Sequence, residues 1–515
     1  MNSLPLLSLI VFTPLAGAVI LGLLRGLNPA TSRALALFFS LSTLGLGLAA
    51  VTGFDPAQTS AQFVERHEWI SAFNAHYHLG LDGLSLVLVL LTGVVTPTAL
   101  LASWTVSRNP RLFGSLFLGL QGAALGVFLA LDFFHWFLFW ELSLAPAFFL
   151  IKLWGGPGSS RAAYQFVVYT IGGSAFMLLG FAAIFAASGT LDFVQLAQLA
   201  TEGTLGARLA AIGGWWPQAV FLGVLLGLAV KVPLWPFHTW LPPAYAEAPT
   251  GVSMFLTGVM SKMGLYGFLR ILWPLFPAQL HDASGWLRWL ALAGVILGAF
   301  AAMRQTNLKR MIAYSSLNHL SYCLLALFAV SAATGRAGMS SDASTAALSG
   351  TILQIFNHGL SAAALFFCVG ILESRARGAV AIGLNDFGGV RTDAPIFSGL
   401  CGVALFSSLG LPGLNGFVGE FLIFRGVFGL DPWAAGLACL GLLATALFML
   451  TFWQRVFHGP RAGATLGGFS DLRGVEYAPL VPLVALMFIL GVAPQLLAHL
   501  INPLVTSWAG HLTLP

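Results

Sequence analysis

Apolar residues along this chain fall in long unbroken blocks separated by short polar or Pro/Gly-bearing junctions. The blocks reach about 20 residues, the length a helix needs to cross ~30 Å of hydrocarbon at ~1.5 Å per residue. They lack the two-residue alternation of barrel strands. Fourteen blocks can be marked, approximately 4–24, 33–54, 84–106, 111–131, 133–154, 164–187, 217–241, 251–273, 284–303, 310–331, 347–372, 395–428, 434–457 and 477–501. The predicted fold is therefore an all-α polytopic membrane protein of about fourteen transmembrane helices, a single membrane domain over 1–515. Three junctions are long, 55–83, 188–216 and 373–394, and none resembles a soluble domain. The stretch Leu191–Leu199 is a candidate for lying on the membrane surface. The first block, Leu4–Leu24, reads as a retained helix, having no basic leader or small-residue cleavage site.

Two blocks are interrupted. The seventh contains KVPLWPFH over 231–238 and the twelfth GLPGLNGFVGE over 410–420. Proline removes a helix donor and clashes with the preceding turn. In a membrane such a break survives only where protein or water satisfies the freed backbone. Blocks seven and twelve stand five apart, and five is odd, so a five-helix unit repeated once has inverted topology. The units are 111–273 and 284–457, preceded by three helices in 4–106 and followed by the last helix, 477–501. Interrupted helices in matching places of two repeats are the sequence signature of a transporter's ion site.

Charge sharpens this picture. Only 8% of residues are charged and 58% are hydrophobic, with a mean hydropathy of +0.87. A soluble domain would be about a quarter charged. With the N-terminus outside, inside loops and adjoining span ends hold fifteen of the 23 basic residues, Arg377 among them, and the outside six, Arg336 among them. That bias predicts both termini on the outer, periplasmic face of an energy-transducing inner membrane. The basic residues are dispersed singly, which gives no footprint for nucleic acid. Cys323, Cys368, Cys401 and Cys439 lie in apolar blocks without a CxxC pair, so no zinc site or dithiol is expected. The string Gly45-x-Gly47-x-x-Ala50 lies inside a span with no strand before it and is no dinucleotide site.

Against that apolar background four ionisable residues stand deep in spans: Glu141, Lys231, Lys262 and Glu420. Each costs roughly 2.5–3.5 kcal/mol to insert at the bilayer centre. Burial disfavours the charged form of such a group and a nearby opposite charge favours it, so a Glu–Lys pair can have its proton affinity switched. The bland alternative is a static ion pair that orients helices. His319 and His358 fall in spans ten and eleven, and three readings stand open for them: proton-relay groups, since imidazole titrates near neutrality, axial haem ligands, or hydrogen-bonded core residues. His135 and His238 lie nearer helix ends.

Taken in order, several segments resemble subunit M of respiratory complex I, the proton-pumping NADH:quinone oxidoreductase. They are YHLGLDGLS at 77–85, FWEL at 139–142, KVPLWPFHTWLP at 231–242, EAPT at 247–250, SKMGLYG at 261–267, LKRMIAYSS at 308–316, LPGLNGFVGE at 411–420 and RVF at 455–457. The resemblance implies a fourteen-helix antiporter-like subunit with inverted repeats and a relay through Glu141, Lys231, Lys262, His319, His358 and Glu420. It implies proton movement driven by quinone reduction elsewhere, other membrane-arm subunits as partners, and no NADH, flavin or iron–sulfur cluster on this chain. The alternative is a divergent paralogue that serves a multisubunit cation/proton antiporter or a related energy-coupled carbon-uptake complex. The chain departs from the family's usual residues at Pro243, Tyr245, Gln165 and Asn307, and Lys152 adds a basic residue at the end of span five.

Overall fold

The computed structural model describes residues 4–335, 341–376, 382–466 and 468–510. Arg336 and Arg377, which the charge bias uses, lie outside the described residues. Among those described, twelve helices are long and apolar enough to cross a membrane. The two interrupted blocks supply the rest. The seventh is Trp216–Lys231 followed by Leu241–Glu247, and the twelfth is Pro395–Ser408 followed by Asn415–Leu430. Every block expected from hydropathy thus has a helical counterpart. The most apolar stretches of span eight (Thr250–Leu275) and span ten (Leu308–Ala333) are wholly surrounded by protein, and that of span eleven (Ser341–Arg375) almost so. The first two spans, Leu6–Leu23 and Pro29–Gly53, turn most of their surface outward.

The breaks arise where expected and their backbone is satisfied. The helix of span seven stops at Lys231, just before Pro233 and Pro236. The carbonyl of Val230 accepts the Trp240 indole N–H at 2.9 Å, and that of Ala229 accepts Leu234 N–H at 2.8 Å. In span twelve Gly410 and Gly413 take φ of +77° and +92°, conformations that favour glycine. Leu411 N–H donates to Phe406 O at 3.0 Å. A Cβ on Gly416 would come within 1.9 Å of Ser407 O, so only glycine lets the two halves touch here. Lys231 closes the half before its break, whereas Glu420 lies in the half after its own.

Several expectations need correction. The last block does not run from 477 to 501. It ends as Gly474–Val492, and a separate helix, Gln495–Gly510, follows. Ala493 precedes Pro494 and sits at φ −125°, ψ 60°, outside the helical region, because the proline ring disfavours helix in the residue before it. The new helix crosses the start of span three (Gly83–Ala102) so closely that a Cβ on Gly83 would meet Leu500 O at 2.3 Å. The junction 55–83 forms an antiparallel hairpin, β1 (Gln62–Ile70) with β2 (Ala75–Leu81). The junction 188–216 holds two helices, Phe193–Thr201 and Thr204–Ile212, the second bent by 107° against Trp216–Lys231. Phe193 and Leu196, in the stretch Leu191–Leu199 expected on the membrane surface, are buried against protein. Span five (Phe133–Trp154) comprises two pieces, Phe133–Leu142 and Leu144–Trp154, that meet at Ser143.

Ion pairs tie the hairpin end of the bundle. Asp82 caps span three and pairs with Arg270 of span eight. His78 on β2 and Arg66 on β1 both reach Asp192 Oδ2, at 2.9 and 3.4 Å. Burial alone would raise Asp192. Bonds from His78 and the Gln195 N–H, with the charges of His78 and Arg66, outweigh it and hold the carboxyl below its ordinary range. Asp82→Ala leaves Arg270 without its partner, and breaking such a buried pair costs about 3 kcal/mol or more. The expected outcome is a lower thermal midpoint of the purified assembly, with Arg270→Ala giving a similar loss and the double variant less than the sum.

Candidate functional site

The three most buried spans, eight, ten and eleven, carry three of the six expected relay residues. Lys262 lies just past a widened, π-helical turn over Leu256–Met260. Such turns leave carbonyls free of their usual i−4 donors. Lys262 Nζ donates to Thr257 O at 2.7 Å, to Ser261 Oγ at 3.1 Å and meets His358 Nδ1 at 2.7 Å. A protonated lysine has three donors and no acceptor. With Lys262 protonated all three are used and His358 Nδ1 accepts, its ring proton on Nε2; with Lys262 neutral the amine accepts from His358 Nδ1–H instead. The His358 and His319 rings stand 5.2 Å apart, centre to centre. His319 Nδ1 lies 3.0 Å from Glu420 Oε1, and its Nε2 lies 3.3 Å from Ser408 Oγ. Gln354 donates to Glu420 Oε1 at 3.3 Å. The other carboxylate oxygen lies against Gly410 in the break. Lys262, His358, His319 and Glu420 therefore form one contiguous buried run.

Glu141 and Lys231 form a second group. Lys231 is fully buried, with Nζ 3.5 Å from Ser143 Oγ and 4.9 Å above the Trp140 ring. Glu141 acts on it electrostatically, yet the two make no direct ion pair among the described residues. Glu141 Oε1 is buried with no hydrogen-bond partner from the protein. Span eight packs directly on this group, since a Cβ on Gly264 would meet Val232 N at 2.9 Å. The structure thus assembles the six residues as a pair and a quartet on adjoining helices.

The haem reading of the histidines fails on geometry. The rings are tilted 38° with their centres only 5.2 Å apart. A porphyrin between them would have to part spans ten and eleven. His135 is buried beside Tyr77 and Phe139, and His238 lies near Tyr314, so neither joins the run.

A cavity of about 480 Å³ opens at the end of the bundle where span eight begins. Its lining includes Ser103, Glu247, Thr250, Asn307, Lys309 and Glu373. Lys309 and Glu373 pair across it at 2.6 Å. From Thr250 the hydroxyls of Ser253, Thr257 and Ser261 recur along span eight at helical spacing. Thr257 Oγ1 and Ser316 Oγ bond at 2.9 Å, both fully buried. The departures from the family pattern fall near this end. Tyr245 donates to Leu256 O at 3.0 Å, and Gln165 to Thr239 O at 3.2 Å. Asn307 caps span ten by accepting Arg310 N–H at 3.0 Å. Lys152 donates to Tyr164 OH at 2.8 Å.

Sequence reasoning missed the neutral members: Ser143, Thr257, Ser316, Gln354 and Ser408. Their signal was weak but present, as neutral polar residues inside apolar blocks. It passes unnoticed because serine and threonine satisfy themselves on the preceding turn, as Ser316 also does on Ile312 O.

The fold and its interior define a polytopic membrane protein built around buried charges. More narrowly, the chain belongs to the NADH:quinone oxidoreductase/Mrp antiporter transmembrane family, whose model matches residues 130–447. It is 36% identical over 510 residues to NADH-quinone oxidoreductase subunit M of Rhodobacter capsulatus, covering 97% of this chain and 95% of that protein. It is likewise 36% identical over 547 residues to the subunit M of Mycobacterium tuberculosis, covering 98% and 94%. Among solved structures it superposes on a chain of respiratory complex I from Thermus thermophilus with bound NADH. The TM-score is 0.82 and the identity 28%, with 98% of this chain and 99% of that one covered.

Proposed function

We propose that this chain is a proton-translocating membrane-arm subunit of an NADH:quinone oxidoreductase-type complex. The observation that carries the reading is the contiguous buried run from Lys262 through His358 and His319 to Glu420. Full-length similarity to proteins named subunit M supports the setting: an energy-transducing inner membrane, with other membrane-arm subunits as partners. In this reading Glu141 sets the charge felt by Lys231, and Lys262 hands its proton to His358 Nδ1. His358 then passes a proton from Nε2 toward His319, and His319 delivers one to Glu420 at the break. The two broken spans correspond in the two inverted units. Moving one charge against 100 mV takes about 2.3 kcal/mol, which a partner must supply through quinone reduction. NADH, flavin and iron–sulfur clusters belong to those partners.

The termini lie on the outer face. Supporting this, Arg33, Arg108 and Arg111, all assigned inside, bond to carbonyls of Val106, Leu153 and Leu21 at one common end. The cavity beside Thr250 then opens inward and feeds Lys262 along the Thr257–Ser316 pair. Thr257→Val keeps the shape and removes the hydroxyl. Pumping in proteoliposomes is expected to fall about tenfold with assembly unchanged, and wild-type pumping would remove Thr257 from the route.

The decisive experiment is reconstitution of the purified assembly in vesicles, with NADH oxidation and interior acidification followed together. Acidification that stops with Glu420→Gln supports the reading, and unaltered pumping refutes it. A multisubunit cation/proton antiporter is the neighbouring possibility within the same family. It would exchange ions without any quinone reductase activity copurifying.

A further inference from the structure

Two buried asparagines take no part in the steps above, yet they join the elements those steps depend on. Asn357 precedes His358 on span eleven. Asn415 opens the second half of span twelve, the half that carries Glu420. Asn357 Nδ2 donates to Asn415 O at 2.7 Å, and Asn415 Nδ2 donates to Asn357 Oδ1 at 3.2 Å. Ser407, on the first half of span twelve, donates to Asn415 Oδ1 at 2.6 Å. All three side chains are buried. Asn415 is thus bonded to both sides of its surroundings: to the other half of its own broken span through Ser407, and to span eleven beside His358. Beyond this point the half-helix lies hard against span eleven. A Cβ on Gly350 would meet Ile423 N at 2.5 Å, and one on Gly419 would meet Gln354 Oε1 at 2.5 Å.

A purely structural break needs its freed carbonyls and N–H groups satisfied. The Leu411 N–H bond to Phe406 O already contributes to that. The reciprocal amide pair does something more specific, because it fixes the rotation of one half-helix relative to the neighbouring span. We propose that Asn357, Asn415 and Ser407 form a latch that sets the position of Glu420 relative to His358 and His319. They are positioning residues, and no proton passes through them. An amide pair suits this role: it is strongly directional, and when buried it is costly to leave half-satisfied. The titratable groups that face the latched elements are His358, His319, Glu420 and Lys262, with Tyr322 and Cys323 of span ten. This inference rests on the relay reading.

The test uses the complete assembly in proteoliposomes with Asn415→Ala and Ser407→Ala, and Glu420→Gln as reference. Pumping, its pH profile and amide exchange of residues 405–416 are measured. Asn415→Ala is expected to lower pumping about tenfold or more, as misplacement of reacting groups does. It should also move the pH of half-maximal pumping and raise exchange in 405–416. Ser407→Ala keeps the Asn357–Asn415 bonds and should shift the same quantities less. Either variant, once assembled, pumping with the wild-type rate and pH profile would overturn the latch. So would slow pumping with an unmoved pH profile. If Asn415→Ala does not assemble, Ser407→Ala alone decides on the same readouts. Wild-type pumping by Glu420→Gln removes the relay reading itself. A dead Glu420→Gln beside a fully active Asn415→Ala removes only the latch.

Discussion

Glu141→Gln is expected to leave the assembly intact and to lower proton pumping about a hundredfold, the scale on which loss of a positioned acid–base group is felt. Glutamine fits the same space beside Leu142 and Ser143. It can accept or donate hydrogen bonds, but it cannot take up or release a proton, and it carries no charge toward Lys231. Glu141 Oε1 is buried without a protein partner, so no bond observed in the structure is lost by the exchange. That makes the variant a clean separation of charge from packing. Interior acidification of reconstituted vesicles, normalised to assembled complex, is the measurement. Wild-type pumping with glutamine would reduce Glu141 to a packing role.

Lys231→Arg and Lys231→Ala are expected to fail differently. Arginine keeps a positive charge and can stack on the ring of Trp140, over which Lys231 Nζ now stands at 4.9 Å. It does not give up its proton at accessible pH. Assembly should therefore survive while pumping falls about a hundredfold. Alanine removes the charge and also leaves a void among Trp140, Phe166 and Ser143, so the yield of assembled complex should fall as well. Large-to-small changes at buried sites cost about 2–5 kcal/mol. Native-gel quantification and vesicle acidification measured on the same preparations distinguish the two effects. Normal pumping with arginine would make Lys231 a fixed charge.

The neutral side chains of the site behave differently from these charges, and the difference bears on what could be found by reading the chain. A lysine or glutamate inside an apolar block cannot be missed, because its insertion cost demands a reason. Ser316 or Thr257 carries little such cost, since either hydroxyl can bond back to its own helix. Their pairing across spans eight and ten depends on which faces of two helices meet. Asn357 and Asn415 stand beside residues that were singled out, yet 58 positions separate them, and nothing along the chain joins them. The hairpin and the junction helix Thr204–Ile212 escape a reading of hydropathy for a related reason. They are short, partly polar, and held by tertiary contacts such as the Asp192 cluster, with little of the continuous hydropathy that announces a span. Hydropathy overruns the end of the last span because Pro494 interrupts a run that stays apolar on both sides.

Composition and the length of the apolar blocks determined by themselves that this is a polytopic helical membrane protein. Proline and glycine placement determined where spans seven and twelve break. The scarcity of charge marked out Glu141, Lys231, Lys262 and Glu420. These are local consequences of backbone chemistry and transfer energy, legible one residue at a time. Only the tertiary structure decided that Lys262, His358, His319 and Glu420 touch in sequence while Glu141 and Lys231 stand as a separate pair. It also decided that two histidines in near contact leave no room for a haem, and that an asparagine pair bolts the second break to span eleven. Those outcomes depend on helix rotation and close packing between segments distant along the chain, which no single helix's pattern contains.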